Sequence, residues 1–184
     1  PIDAEKHGIR FVHQELNICP DLNVAENIFV GKLLTNKLGF YNPKATIDRA
    51  QELIDRVQVD MRADEITRNL RTAEQQIIEI LKAFAEDSKI LVLDEPTSSL
   101  SEKEKKVFFE LLENLKKQGV SFIFISHFLE DVLQFSDRVT VLKDCKNNGE
   151  FDTKKTTKEE LILAMMGKSV VSRDKSTRQV NKEL

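Results

Sequence analysis

The chain has 184 residues, 40% hydrophobic and 32% charged, with 28 basic against 31 acidic side chains and a net charge of −3. That length suits one domain, or one with a small appendage, and allows a sizeable core. The balance argues against a basic nucleic-acid binder. No apolar run approaches the roughly 20 residues of a membrane helix. Two separated cysteines, Cys19 and Cys145, argue against a disulfide framework or zinc site and suit a reducing cytosol. The six glycines are unclustered, and no G-x-x-x-x-G-K-[ST] phosphate loop is present. The nearest decoy, Gly167-Lys168-Ser169, has Ile162 where the first glycine belongs, and it ends a helix. The opening Pro1-Ile2-Asp3 is neither a signal peptide nor a natural start with Met, so the chain is expected to be cut from something longer.

In chain order, residues 8–12 read as a short strand, followed by His13-Gln14-Glu15-Leu16 and a loop to Pro20-Asp21. Residues 22–41 carry Val24, Ile28 and Phe29 at helical spacing. Asn42-Pro43 offers an N-cap and a proline at the first helical position. Ile47, Ala50, Ile54 and Val57 continue that helix as an apolar stripe. Thr72-Ala73-Glu74-Gln75 predicts a capping box, and Ile77, Ile78, Leu81, Phe84 and Ala85 a broad apolar helix face. Residues 89–94, KILVLD, and 120–125, VSFIFI, read as strands buried on both faces of a parallel sheet. Between them, Ser101-Glu102-Lys103-Glu104 caps a helix using Val107, Phe108, Leu111, Leu112 and Leu115 and ending at Gly119. A short helix follows with Leu129, Val132 and Leu133, then a strand over 138–143. Asn148-Gly149 predicts a hairpin turn into Glu150-Phe151. Thr157 caps a last helix through Leu161, Ile162 and Met165, and residues 168–184 read as a polar linker or tail.

Alternation of strand and helix predicts an α/β fold with a mainly parallel sheet, whose ligands bind at the carboxyl ends of the strands. Gln14, Asp94-Glu95 and His127 all fall at such ends. Two adjacent carboxylates there repel unless a cation or proton serves them. Mg²⁺ on Asp94 answers that need, leaving Glu95 to orient or deprotonate a water. His127 can donate to a phosphate oxygen, and the neutral Gln14 amide can touch Mg²⁺ or water without altering charge. Taken singly, each has a plainer explanation: a solvated acidic strand end, a packed histidine, an ordinary loop glutamine. Residues 70–75 open a helix whose free N–H groups suit an anion, although alone they are better explained as a plain cap.

Together these segments resemble the ATPase subunit of an ATP-binding-cassette transporter over about residues 2 to 168, closest to the first cassette of ribose- and galactose-type sugar importers. GIRFVHQEL matches the strand and Q-loop, ILVLDEPTSSLSEKE the Walker B strand, catalytic glutamate and D-loop, and FIFISHFLEDV the switch-histidine segment. LNVAENIFVGK matches the start of the helical subdomain, LRTAEQQIIEILKAF the signature motif and its helix, and DRVTVLKD the next strand. The resemblance implies a P-loop NTPase-like sheet flanked by helices, incomplete at the N-terminus, in a partial nucleotide-binding domain over 1–167. Its helical signature subdomain covers about 22–87. It implies ATP and Mg²⁺ as cofactors, with Gln14, Glu95 and His127 catalytic and Asp94 and Gln14 at the metal. Leu70, Arg71, Thr72, Ala73, Glu74 and Gln75, with Ser98, Ser99, Leu100 and Ser101, would meet nucleotide across a cassette interface. The implied partners are a second cassette, in the same chain or a homodimer, transmembrane permease subunits and, indirectly, a periplasmic or extracellular sugar-binding protein. No nucleic acid is implied, and the expected location is the cytoplasmic face of the cell membrane, peripherally.

Two departures qualify this expectation. The phosphate loop would precede Pro1, so the 184-residue piece alone is expected to bind ATP weakly and hydrolyse it negligibly. In the signature, Arg71 replaces the usual serine and Thr72-Ala73 stands where two glycines, or Val-Ala, are expected. Arginine cannot reproduce the serine hydroxyl's geometry. The alternative is therefore a degenerate, non-catalytic cassette kept as an interaction or regulatory module. A DNA-repair cassette ranks third, since no coiled-coil or C-x-x-C insertion separates Gln14 from Asp94.

Overall fold

A computed structural model describes residues 2–86 and 88–167, so the tail over 168–184 and the lysine and serine of the phosphate-loop decoy lie outside the described residues. The chain divides into two compact units, one ending at Phe128 and one beginning at Leu129.

The first unit opens with a short helix, α1 (Ile2–Lys6), leading into β1 (Ile9–Val12). β1, β2 (Ile90–Asp94) and β3 (Ser121–Ile125) form a parallel sheet in that order. The register pairs Val12 with Leu93 and Asp94 with Ile125, so all three strands end at one edge. Between β1 and β2 come α2 (Val24–Ile28), α3 (Pro43–Arg56), a 3₁₀ turn over Thr67–Asn69 and α4 (Thr72–Phe84); α5 (Glu102–Lys117) links β2 to β3.

β2 is buried on both faces, with Leu91, Val92 and Leu93 in the core, as its apolar run predicts. β3 is not: Ile123 and Ile125 are 53% and 44% exposed. The difference lies in position. β2 has a strand on each side, whereas β3 is at the sheet edge and is covered on one face, where Phe124 meets Phe109 of α5 with ring centroids 6.1 Å apart. Ile78 and Leu81 of α4 and Leu111, Leu112 and Leu115 of α5 are buried as well.

The caps explain where the helices start. Asn42 accepts from the Ala45 N–H at 3.2 Å with Pro43 at the first helical position, as expected. Ser101 caps α5 with Glu104 answering, and Gly119 follows its last turn at φ 91°. The cap of α4 sits one residue earlier than predicted. Arg71, not Thr72, holds the N-cap, because the Glu74 carboxylate reaches back to the Arg71 N–H at 2.8 Å. Only this half of a capping box forms, since a guanidinium has no acceptor.

The helical segment between β1 and β2 is pinned by one buried amide. Asn27, 2% exposed, accepts from the Cys19 N–H at 2.8 Å and donates to the Cys19 and Asn23 carbonyls and the Thr67 hydroxyl. Polar burial at this depth is tolerated because the amide is fully used.

The second unit contains α6 (Leu129–Phe135), the antiparallel pair β4 (Arg138–Lys143) and β5 (Lys146–Asp152), and α7 (Lys158–Met165). Val141, Leu161 and Ala164 form its core, with Leu129, Leu133, Val139 and Phe151 packed around them. On α7, which runs through Leu161, Ile162 and Met165 as the sequence predicts, the buried residues are Leu161 and Ala164, whereas Ile162 and Met165 are substantially exposed. The hairpin turn is not at Asn148-Gly149, which lie inside β5. It is the two-residue turn Asp144-Cys145, between the paired Lys143 and Lys146. Both residues have positive φ, 47° and 60°, the signature of a type I′ turn. Among the described residues, no helix is long and apolar enough to cross a membrane.

Candidate functional site

The site is built where β2 and β3 end. Glu95 follows β2 with φ 49°, and its N–H donates to the Ile125 carbonyl at 2.9 Å. A left-handed conformation costs a non-glycine residue about 1–2 kcal/mol. Here it turns the Glu95 side chain across the strand ends. His127, two residues past β3, meets it there. Glu95 Oε1 accepts the His127 N–H at 3.1 Å and lies 2.8 Å from His127 Nδ1. A carboxylate oxygen only accepts, so Nδ1 carries the proton, and Nε2 is a lone pair in the neutral ring and a donor in the imidazolium. The second carboxylate oxygen, Glu95 Oε2, is buried without a hydrogen-bond partner. Buried acceptors are rarely left unserved unless a water, ion or substrate completes them.

Asp94, partly exposed, closes β2 at the same edge, and Gln14 lies exposed in a bend two residues beyond Val12. Asp94 and Gln14 offer hard oxygen donors. The orphaned Glu95 Oε2 beside them fits a site completed by Mg²⁺, water and phosphate oxygens, because Mg²⁺ commonly takes few protein ligands. Among the described residues no cluster of three or more His, Cys, Asp or Glu forms a closed metal cage.

The loop leaving Glu95 is tight. The Ser98 N–H and hydroxyl both donate to the Glu95 carbonyl, at 3.3 and 3.0 Å. Ser98 and Ser99 are exposed, whereas Leu100 turns its side chain into the core at 9% exposure. Ser101 donates its N–H and hydroxyl to Glu104, at 2.8 and 2.6 Å. Those two bonds, with a weaker attraction from Arg71, hold the Glu104 carboxyl below its ordinary pKa.

The segment over 70–75 lies beside the first turn of α5. Arg71, Ala73, Glu74 and Ile77 share a cleft of about 250 Å³ with Lys103, Glu104 and Val107. The Arg71 side chain is 78% exposed, with Nε 3.9 Å from Glu74 Oε2. Gln75 is turned inward, donating to the Thr67 and Leu70 carbonyls at 3.1 Å each. Leu70 is half-buried and Thr72 exposed. The structure therefore joins Glu95 to His127 directly, sets Asp94 and Gln14 on the same sheet edge, and groups 70–75 with the helix that follows Ser98–Ser101. Sequence reasoning overlooks Glu79 and Lys82 of α4: Glu79 is buried, and the Lys82 ammonium donates to the Asn17 carbonyl, three positions beyond Gln14, at 3.4 Å. Their only local signal is an acid and a base three residues apart on a helix.

The ABC transporter family model matches residues 1–98. The ribose import ATP-binding protein RbsA of Bacillus subtilis (strain 168) is 37% identical over 173 residues, covering 94% of this chain and 35% of that protein. RbsA of Lactococcus lactis subsp. cremoris (strain SK11) is 41% identical over 170 residues, covering 92% and 35%. The chain thus spans about a third of the length of these relatives. An ATP-binding cassette of an ABC transporter, crystallised in its ADP conformation, superposes with a TM-score of 0.70 at 20% identity, covering 90% of this chain and 67% of that one. A dimeric cassette in a post-hydrolysis state, bound to ADP and Pi, superposes with a TM-score of 0.62 at 25% identity, covering 79% and 62%.

Proposed function

Because the chain belongs to the ABC transporter family, we propose that it is part of an ATP-hydrolysing, energy-coupling subunit of a sugar importer. The single observation that carries the chemistry is the Glu95–His127 pair at the ends of β2 and β3, with Glu95 Oε2 buried and unserved. In this reading Asp94 and Gln14 hold Mg²⁺, which when bound neutralises phosphate charge. Glu95 accepts a proton from, or orients, the attacking water. His127 fixes the Glu95 carboxylate through Nδ1 and presents Nε2 toward a γ-phosphate oxygen, donating when the ring is doubly protonated. Ser98 to Ser101 and residues 70–75 meet nucleotide and partner across the interface with a second cassette. The relatives named for ribose import support a ribose-type sugar as cargo. They equally support permease subunits as partners, with a sugar-binding protein acting through them, and a place at the cytoplasmic membrane face. Joining the chain to an upstream strand and phosphate loop and measuring phosphate release tests the role of Glu95. Glu95→Gln lowers turnover by roughly 10²–10⁴-fold, and unchanged turnover removes Glu95 from the chemistry.

One observation favours a second reading, a non-catalytic cassette that pairs with an active one. The N-terminus of α4 is already served by the Glu74 carboxylate, and Arg71 stands beside it. An incoming phosphate would meet a negative charge at the position where the helix dipole should attract it. Under the catalytic reading Arg71→Ser raises phosphate release in the joined protein; no gain supports the pairing role.

A further inference from the structure

The loop over 34–42 presents apolar side chains outward. Leu38 is 81% exposed and Phe40 68%; Val30 and Leu33, just before the loop, and Tyr41 within it are exposed as well. Single exposed apolar residues are ordinary on a protein surface, but a cluster of them marks a contact. The loop is also firmly built. Thr35 bridges Tyr41, and the Asn36 N–H donates to the Phe40 carbonyl and the Asn42 N–H to the Leu34 carbonyl, at 2.8 Å each. The Asn36 side-chain oxygen accepts the Leu38 and Phe40 N–H groups, at 2.9 and 3.1 Å. At the base of the loop the Tyr41 hydroxyl donates to Glu26 at 2.9 Å. Its chain entropy is therefore spent before any partner arrives, which favours binding. The tip stands in open space: a Cβ on Gly39 would meet nothing within 4 Å.

Charge indicates what the tip faces. The chain carries −3 overall, yet residues 30–44 hold Lys32, Lys37 and Lys44 and no acidic side chain. Lys32 reaches Glu86 at 2.9 Å, whereas Lys37 and Lys44 are exposed and flank the tip in sequence. We propose that residues 34–42 form a membrane-contact loop, in which Leu38 and Phe40 enter the headgroup layer of an anionic bilayer while Lys37 and Lys44 meet lipid phosphates. Apolar side chains flanked by lysine, with a tyrosine behind them, are what that layer accepts. A protruding tip suits a deformable layer, whereas a protein partner would need a pocket matched to it. The contact requires neither nucleotide nor permease, so it stands or falls apart from the importer reading.

Flotation of the 184-residue chain with protein-free vesicles tests the contact. The chain floats with vesicles containing about one-third phosphatidylglycerol and not with pure phosphatidylcholine, and high salt releases most of it. Leu38→Ser and Phe40→Ser each lower the partition coefficient about five- to tenfold, and Lys37→Gln and Lys44→Gln each about fivefold. All four side chains are exposed, so these variants keep the wild-type thermal midpoint. The sequence contains no tryptophan, so Phe40→Trp supplies a single reporter, whose emission shifts to the blue on anionic vesicles and is quenched by brominated acyl chains. Absence of flotation on anionic vesicles overturns the proposal, as does flotation that Leu38→Ser and Phe40→Ser leave unchanged or that neutral vesicles match. Binding to bacterial membranes alone, lost when their proteins are digested, assigns the tip to a protein partner and equally overturns it.

Discussion

At Glu79 two physical effects oppose each other. Burial raises its pKa, while Lys82, His13 and the Asn17 N–H pull it down, and burial dominates. A raised folded-state pKa means that the native protein holds the proton more tightly than the unfolded chain. The stability this contributes is complete below the ordinary glutamate pKa and is lost as pH climbs through the raised value. Glu79→Gln removes the charged form while keeping an acceptor. It therefore unfolds at higher urea than wild type at pH 7, and the two midpoints converge in acid below the ordinary glutamate range. A constant difference across that range would show that the charge of Glu79 is not what costs stability. Glu95 shows a different economy: a left-handed backbone is held by one hydrogen bond to the end of β3 and places its carboxylate against His127. The types and spacing of these residues are visible in the sequence as Asp94-Glu95 at one strand end and His127 after another. Their direct contact is not, because it depends on the parallel register of β2 and β3.

Elements were legible wherever local chemistry agrees with the fold. Asn42-Pro43, Ser101 with Glu104, and Thr157 with Glu160 all start helices where the sequence places them. The failures have physical reasons. An apolar run gives the same signal for a central and an edge strand, so β3 reads as fully buried although Ile123 and Ile125 are exposed. Asn148-Gly149 carries the stronger turn code, yet the chain turns at Asp144-Cys145, where neither residue is glycine. Gly149 is used instead for closeness, since a Cβ there would lie 2.8 Å from the Phe151 ring. The turn yields a direct test of element-level strain. Cys145→Gly relieves a left-handed β-carbon and stabilises the β4–β5 unit by roughly 0.5–1 kcal/mol net of glycine's extra chain entropy. A lower thermal midpoint for this variant would contradict the type I′ assignment.

At the scale of the molecule, the family and the α/β sheet were both readable from ordered motifs. The chain covers about a third of the length of its ribose-import relatives. The second unit's hairpin is antiparallel and belongs to a sheet of its own, which strand signals alone do not distinguish from one more parallel strand. The chain brings Glu95 and His127 together at the ends of β2 and β3, and its sequence contains no glycine-rich, lysine-bearing loop to grip the β- and γ-phosphates. We propose that activating water and gripping the phosphates are separable, and that this chain holds the groups for the first. The most direct measurement compares phosphate release from ATP by the 184-residue chain alone and by the same chain joined at its N-terminus to a strand and phosphate loop. Turnover that is negligible in the first and clear in the second is the predicted result; joined protein that releases phosphate no faster than the chain alone contradicts it.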